Sequence, residues 1–97
     1  MKILFLGDIV GDSGFKSVKK NLPNIILEKK IDFVCVNGEN AATEGVGLTE
    51  NIANELFNAG VDVITTGNHV WDQKEILDFI KIENKLLRPL NLIVCKY

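Results

Sequence analysis

Asp8, Glu39, Asn40, Asn68 and His69 are the side chains with chemistry to offer, and they recur at one kind of place. Ile3-Leu4-Phe5-Leu6 runs into Gly7-Asp8, Phe33-Val34-Cys35-Val36 leads to Gly38-Glu39-Asn40, and Val61 to Thr66 leads to Gly67-Asn68-His69. Carboxylate, amide oxygen and imidazole together suit a borderline divalent metal such as manganese, iron or zinc. If Asp8 and Glu39 stayed ionised about 5 Å apart, their repulsion would be about 3 kcal/mol at an effective dielectric of 20. A cation between them reverses that sign. Two such ions about 3.5–4 Å apart, bridged by Glu39, would polarise a phosphoryl group and generate a hydroxide nucleophile. His69 would then be free to protonate the leaving oxygen. Taken singly, each piece has a plainer explanation. An aspartate after a strand is a turn former, Glu39-Asn40 a solvated loop, and His69 a structural imidazole. The metal explanation draws its weight from all three pieces falling at the same end of successive apolar runs.

Those runs must be strands for the argument to hold. Each is short, rich in β-branched or aromatic residues and bounded by turn formers, the pattern of a buried strand. The intervening stretches are long enough for helical crossovers, which makes the strands parallel and the fold α/β. Parallel strands put their carboxyl ends on one edge of the sheet, where ligand sites of open α/β sheets form. A helix is expected from about Phe15 to Lys30, interrupted before Pro23. A second is expected after Thr49, burying Ile52, Ala53, Leu56 and Phe57 and ending at Gly60. A third opens at Asp72 with Glu75 as a capping box and buries Ile76, Leu77, Phe79 and Ile80. Arg88-Pro89 ends it, and Leu92 to Cys95 is a candidate fourth strand. Right-handed crossovers then pack the helices on the sheet.

Ninety-seven residues make one small domain. A hydrophobic share of 46%, a charged share of 25% and a net charge of −2 describe an ordinary globular chain without a basic stripe. Duplex nucleic acid is therefore disfavoured as a partner. A small anionic substrate is compatible, with metal ions supplying positive charge locally. Neither a secretory signal nor a run of the roughly 20 apolar residues needed to cross a bilayer is present, so a cytoplasmic location is the expectation. Cys35 and Cys95 form no disulfide framework and no zinc signature, and Cys35 is expected to be a small buried residue. The turn with Gly7, Gly11 and Gly14 matches neither a dinucleotide fingerprint nor a P-loop, since Phe15 precedes Lys16-Ser17.

The three motifs, Gly7-Asp8-Ile9-Val10-Gly11, Asn37-Gly38-Glu39-Asn40-Ala41-Ala42 and Thr66-Gly67-Asn68-His69-Val70-Trp71-Asp72, resemble the YmdB-type branch of the calcineurin-like metallophosphoesterases. The likeness runs through Gly47-Leu48-Thr49 to about Arg88-Pro89-Leu90-Asn91. It implies the N-terminal half of a calcineurin-like sandwich, with parallel strands and helical crossovers. It implies a two-metal phosphodiesterase acting on 2′,3′-cyclic nucleotides or related phosphodiesters, with iron, manganese, magnesium or zinc. By the resemblance Asp8 binds one metal, Glu39 bridges two, Asn40 helps hold metal or phosphate, Asn68 binds the second metal and His69 donates the proton. Val10 stands where the wider superfamily usually has a histidine, which fits this branch. Family members are more than twice as long, and their second half adds histidine ligands including a His-x-His pair. The expectation is therefore a single, truncated metallophosphoesterase domain over residues 1–97, inactive alone. The alternative is a non-catalytic interaction module or decayed fragment whose exposed sheet edge and core face invite association with further copies.

Overall fold

The computed structural model describes residues 1–43, 45, 47–67, 76, 79 and 82–87. Asn68, His69, Asp72, Glu75, Leu77, Ile80 and Leu92 to Cys95 lie outside the described residues. In chain order the elements are β1 (Ile3–Asp8), α1 (Gly11–Lys29), β2 (Phe33–Asn37), α2 (Glu50–Ala59), β3 (Val63–Thr65) and β4 (Leu86–Leu87). The described strands form one sheet in the order β1-β2-β3-β4, and every pairing is parallel. The expected α/β architecture with parallel strands is therefore present. The fourth strand is Leu86–Leu87, upstream of the Leu92 to Cys95 segment expected to supply it.

Sequential order with right-handed crossovers sends successive helices to the same face of the sheet. The register shows which residues meet them. Leu6 pairs with Val36, Val36 with Ile64 and Ile64 with Leu86, a single apolar row across all four strands. Phe15 and Leu22 from α1, and Ile52, Ala53 and Leu56 from α2, join that row in one buried cluster. Ile76 and Phe79, both helical, belong to the same cluster, as expected for the helix after the third motif.

The other face carries the alternate residues. Ile3 pairs with Phe33, Phe5 with Cys35, Cys35 with Val63 and Thr65 with Leu87. Here the expectation of buried strands needs correcting, because Ile3 and Phe5 are 62% and 63% exposed. Cys35 is likewise half-buried rather than fully enclosed. An unbroken apolar run reads as a strand covered on both faces. Among the described residues only the helix-bearing face is covered.

Helix α1 also departs from expectation. It starts at Gly11 and continues through Pro23 without a break, ending at Lys29 with Lys30 in the left-handed region (φ 53°). Pro23 removes one intrahelical hydrogen bond and crowds the preceding turn. It does so on the exposed side, while Leu22 and Ile26 anchor the helix to the core on either side of it. Packing of that stripe outweighs the local cost. Helix α2 follows expectation. Thr49 Oγ1 accepts a hydrogen bond from the Ile52 amide at 3.2 Å, and Gly60 closes the helix at φ 119°. Phe57 is half-buried and packs against the core rather than within it.

The cap gives the first prediction. Thr49→Ala should cost about 1 kcal/mol and lower the melting temperature by about 4–8 °C for a chain of this size. Thr49→Ser should restore most of it. Thermal unfolding followed by circular dichroism reads both, and an unchanged melting temperature for Thr49→Ala would refute the role of the cap.

Candidate functional site

The carboxyl ends of β1, β2 and β3 lie side by side, and backbone hydrogen bonds stitch the loops that leave them. The Ile9 amide donates to the Asn37 carbonyl at 3.1 Å, and the Gly11 amide to the Asn40 carbonyl at 2.9 Å. The Gly38 amide donates to the Thr65 carbonyl at 2.9 Å. The first bonds tie the β1 loop to the β2 loop, and the last ties the β2 loop to β3. Within β1 the ladder slips between Leu6 and Asp8, so that Asp8 pairs with Asn37. Such a bulge re-aims the side chain beyond it.

Asp8 and Asn40 meet as a result. Asn40 Nδ2 donates to both carboxylate oxygens of Asp8, each at 3.2 Å, across 32 residues of sequence. Asp8 is exposed, whereas Asn40 is only half-exposed. The amide oxygen, Asn40 Oδ1, is buried and has no hydrogen-bond partner among the described residues. Buried acceptors are nearly always satisfied, so this oxygen calls for a partner beyond the described residues, whether another side chain, a water or an ion. Glu39 stands one residue earlier, half-buried, with its amide donating to Asn37 Oδ1 at 3.4 Å. Its carboxylate lies against Gly67 at the end of β3: a Cβ built on Gly67 would stand 2.6 Å from the Glu39 carboxyl carbon.

Of the five residues read from sequence, Asp8, Glu39 and Asn40 are thus brought to one edge of the sheet. Asn68 and His69 follow Gly67 directly and lie outside the described residues. The donor set fits a divalent cation in part. Two carboxylates and an orphaned amide oxygen are hard oxygen donors. Among the described residues no three histidine, cysteine, aspartate or glutamate side chains group closely enough to hold an ion by themselves.

Two features escaped the sequence reading. Asn37 is a hub, since its carbonyl accepts from Ile9 and its side chain from Glu39. A strand-terminal asparagine carries no signal of this in the sequence. The second is an open groove of about 320 Å³ beside Asp8, lined by Leu6, Gly7, Ile9, Gly14, Ser17 and Val18. Gly14, Ser17 and Val18 recur at helical spacing on α1, a pattern that reads as one helix face but not as the flank of a site.

A parallel α/β sheet whose strand ends gather acidic and amide oxygens defines a class of ligand-binding fold, with its site where such sheets place it. The chain belongs to the YmdB-like protein family, whose profile matches residues 4–95. It is 50% identical over 91 residues to a Bacillus subtilis protein named 2′,3′-cyclic-nucleotide 2′-phosphodiesterase, covering 94% of this chain and 34% of that protein. It is 45% identical over 94 residues to a Mycoplasma pneumoniae protein with a provisional phosphatase/phosphodiesterase name, covering 95% of this chain and 32% of that one. A crystal structure described as a novel phosphatase of Mycoplasma pneumoniae superposes with a TM-score of 0.87 at 42% identity, covering 96% of this chain and 33% of that chain. A crystal structure of a hypothetical protein from Thermus thermophilus gives 0.86 at 40% identity, covering 98% and 36%. The chain therefore spans about a third of the length of these relatives.

The Asp8–Asn40 contact yields the second prediction. Asn40→Asp replaces a hydrogen bond with two facing carboxylates. At neutral pH the variant should be less stable than the parent, by no more than about 1 kcal/mol because Asp8 is exposed and solvent-screened. A divalent cation should close that gap at neutral pH. Urea unfolding at neutral pH, with and without manganese, decides the matter. A gap that the cation leaves unchanged would show that the two side chains do not meet.

Proposed function

We propose that this chain supplies the metal-binding strand ends of a metal-dependent phosphodiesterase acting on 2′,3′-cyclic nucleotides or related small phosphodiesters. The observation that carries the proposal is the pairing of Asp8 with Asn40 beside an orphaned amide oxygen. The name of the Bacillus subtilis relative supports the substrate class. Asp8 would hold one divalent ion, with Asn40 contributing its amide oxygen, and Glu39 would bridge to a second ion shared with Asn68. When bound, such a pair supplies positive charge to the phosphoryl oxygens and acidifies a water molecule. His69 would hand a proton to the leaving oxygen, a role that imidazole side chains commonly fill. Iron, manganese, magnesium and zinc all accept parts of this donor set. Further ligands would come from the two-thirds of the family's length that this chain does not span. Among the described residues no helix is long and apolar enough to cross a membrane, and a cytoplasmic setting is part of the proposal.

The test has two arms. The chain alone should bind manganese weakly, read as a rise in melting temperature, and Asp8→Ala or Glu39→Ala should abolish the rise. A chimera that joins these residues to the remainder of the Bacillus subtilis relative should hydrolyse a 2′,3′-cyclic nucleotide. In that chimera His69→Ala should lower kcat by at least about 100-fold, the range of general acid catalysis. Full activity of Glu39→Ala or His69→Ala in the chimera would overturn the assignment of roles. Appreciable hydrolysis of bis-p-nitrophenyl phosphate by the isolated chain would show that the spanned third suffices.

A second reading rests on the bare sheet face. Ile3, Phe5, Phe33 and Leu87 are exposed large hydrophobics on one side of the sheet. Such a surface suits a non-catalytic interaction module or self-association. Light scattering separates the cases: a monomer at high concentration with cooperative unfolding would count against it.

A further inference from the structure

We infer that Gly67 is the positioning residue for Glu39, because its missing side chain is the space in which the Glu39 carboxylate sits. The inference rests on the reading of Glu39 as a metal ligand and adds the element that sets the ligand's place. A Cβ built on Gly67 would lie 2.6 Å from both Cδ and Oε1 of Glu39, and it would overlap Oε2 as well. All three of its nearest heavy atoms belong to that one carboxylate. Ordinary carbon contacts begin near 3.5 Å, so any side chain at position 67 displaces the group.

The requirement is one of space and not of backbone conformation. The glycines with positive φ are Gly11, Gly45, Gly47 and Gly60, and Gly67 is not among them. Other glycines meet different neighbours. A Cβ on Gly38 would lie 2.8 Å from Ile64 Cγ2, and one on Gly60 would lie 2.5 Å from Ile26 Cδ1. Those two positions protect core packing; Gly67 abuts the far end of a long, half-buried side chain rather than the core. A methyl group at 67 should therefore move Glu39 while sparing the core, and a methyl group at 38 should do the reverse. The geometry also gives β3 a function in the site. Its end makes the wall against which the ligand from β2 is held, in addition to leading into Asn68.

The experiment compares Gly67→Ala with Gly38→Ala in the 97-residue chain. Crystal structures and manganese titrations followed by calorimetry are the two readouts. Gly67→Ala should keep a melting temperature close to that of the parent, shift the Glu39 carboxylate by more than about 1 Å, as the present overlap demands, and weaken manganese binding by about 10- to 100-fold, the usual effect of losing a ligand's support. Gly38→Ala should lower the melting temperature with the carboxylate in place. A Glu39 carboxylate that stays put in Gly67→Ala, or a shifted one with undiminished manganese affinity, would overturn the inference. If the parent takes up no manganese but the carboxylate still moves in Gly67→Ala, the seat of Glu39 stands and the metal reading falls.

Discussion

Parallel pairing of β1 with β2 is the constraint on which the rest of the molecule depends. It sets Leu4 and Leu6 level with Val34 and Val36 and so builds one side of the core. It also carries both chains to the same edge before either turns away. A one-residue slip in this register would turn the apolar row outward and separate Asp8 from Asn40 at the same time. Core and site are thus fixed by a single alignment. The ladder slip between Leu6 and Asp8 acts within that alignment, advancing β1 by one residue where the core ends and the site begins.

Backbone groups join the loops of the site edge independently of side-chain charge. The bonds from Ile9 to Asn37, Gly11 to Asn40 and Gly38 to Thr65 join neighbouring loops through amides and carbonyls. Bonds of this kind do not titrate, and their cost is met with folding. Acidic side chains can then be brought toward one another without being asked to stabilise the loops that bear them. That arrangement is what preorganisation means for a site that must accept positive charge.

Much of this was legible from residue order. Strand, turn and helix signals placed Asp8, Glu39 and Asn40 on one edge because parallel topology leaves few alternatives once crossovers must be helical. Thr49 and Gly60 announced both ends of α2 through cap chemistry that operates locally. What failed was non-local. Pro23 signals a break, but Leu22 and Ile26 bury against elements far away in sequence, and their packing keeps α1 whole. Ile3 and Phe5 signal a buried strand, yet coverage of a face depends on what lies over it, which the run itself does not encode. The role of Gly67 was equally hidden, because its neighbour in space is a carboxylate 28 positions earlier in the chain.

The two faces of the sheet also bear differently on the site. The helix-bearing face seals with residues that are nearly inaccessible, such as Val36 at 0% and Ile64 at 0%. These anchor the strands whose ends carry Glu39 and precede Gly67. The opposite face presents Phe5 and Cys35 in register, close to where Asp8 and Asn37 close the first pairing. Packing against that face would bear on β1 and β2, the strands whose ends carry the candidate ligands. Close-packed interiors transmit displacement, and Phe5 and Cys35 stand on the same two strands that end at Asp8 and Asn37. The same few residues of β1 and β2 therefore form both the exposed face and the approach to the candidate site, so the strand register serves the two at once.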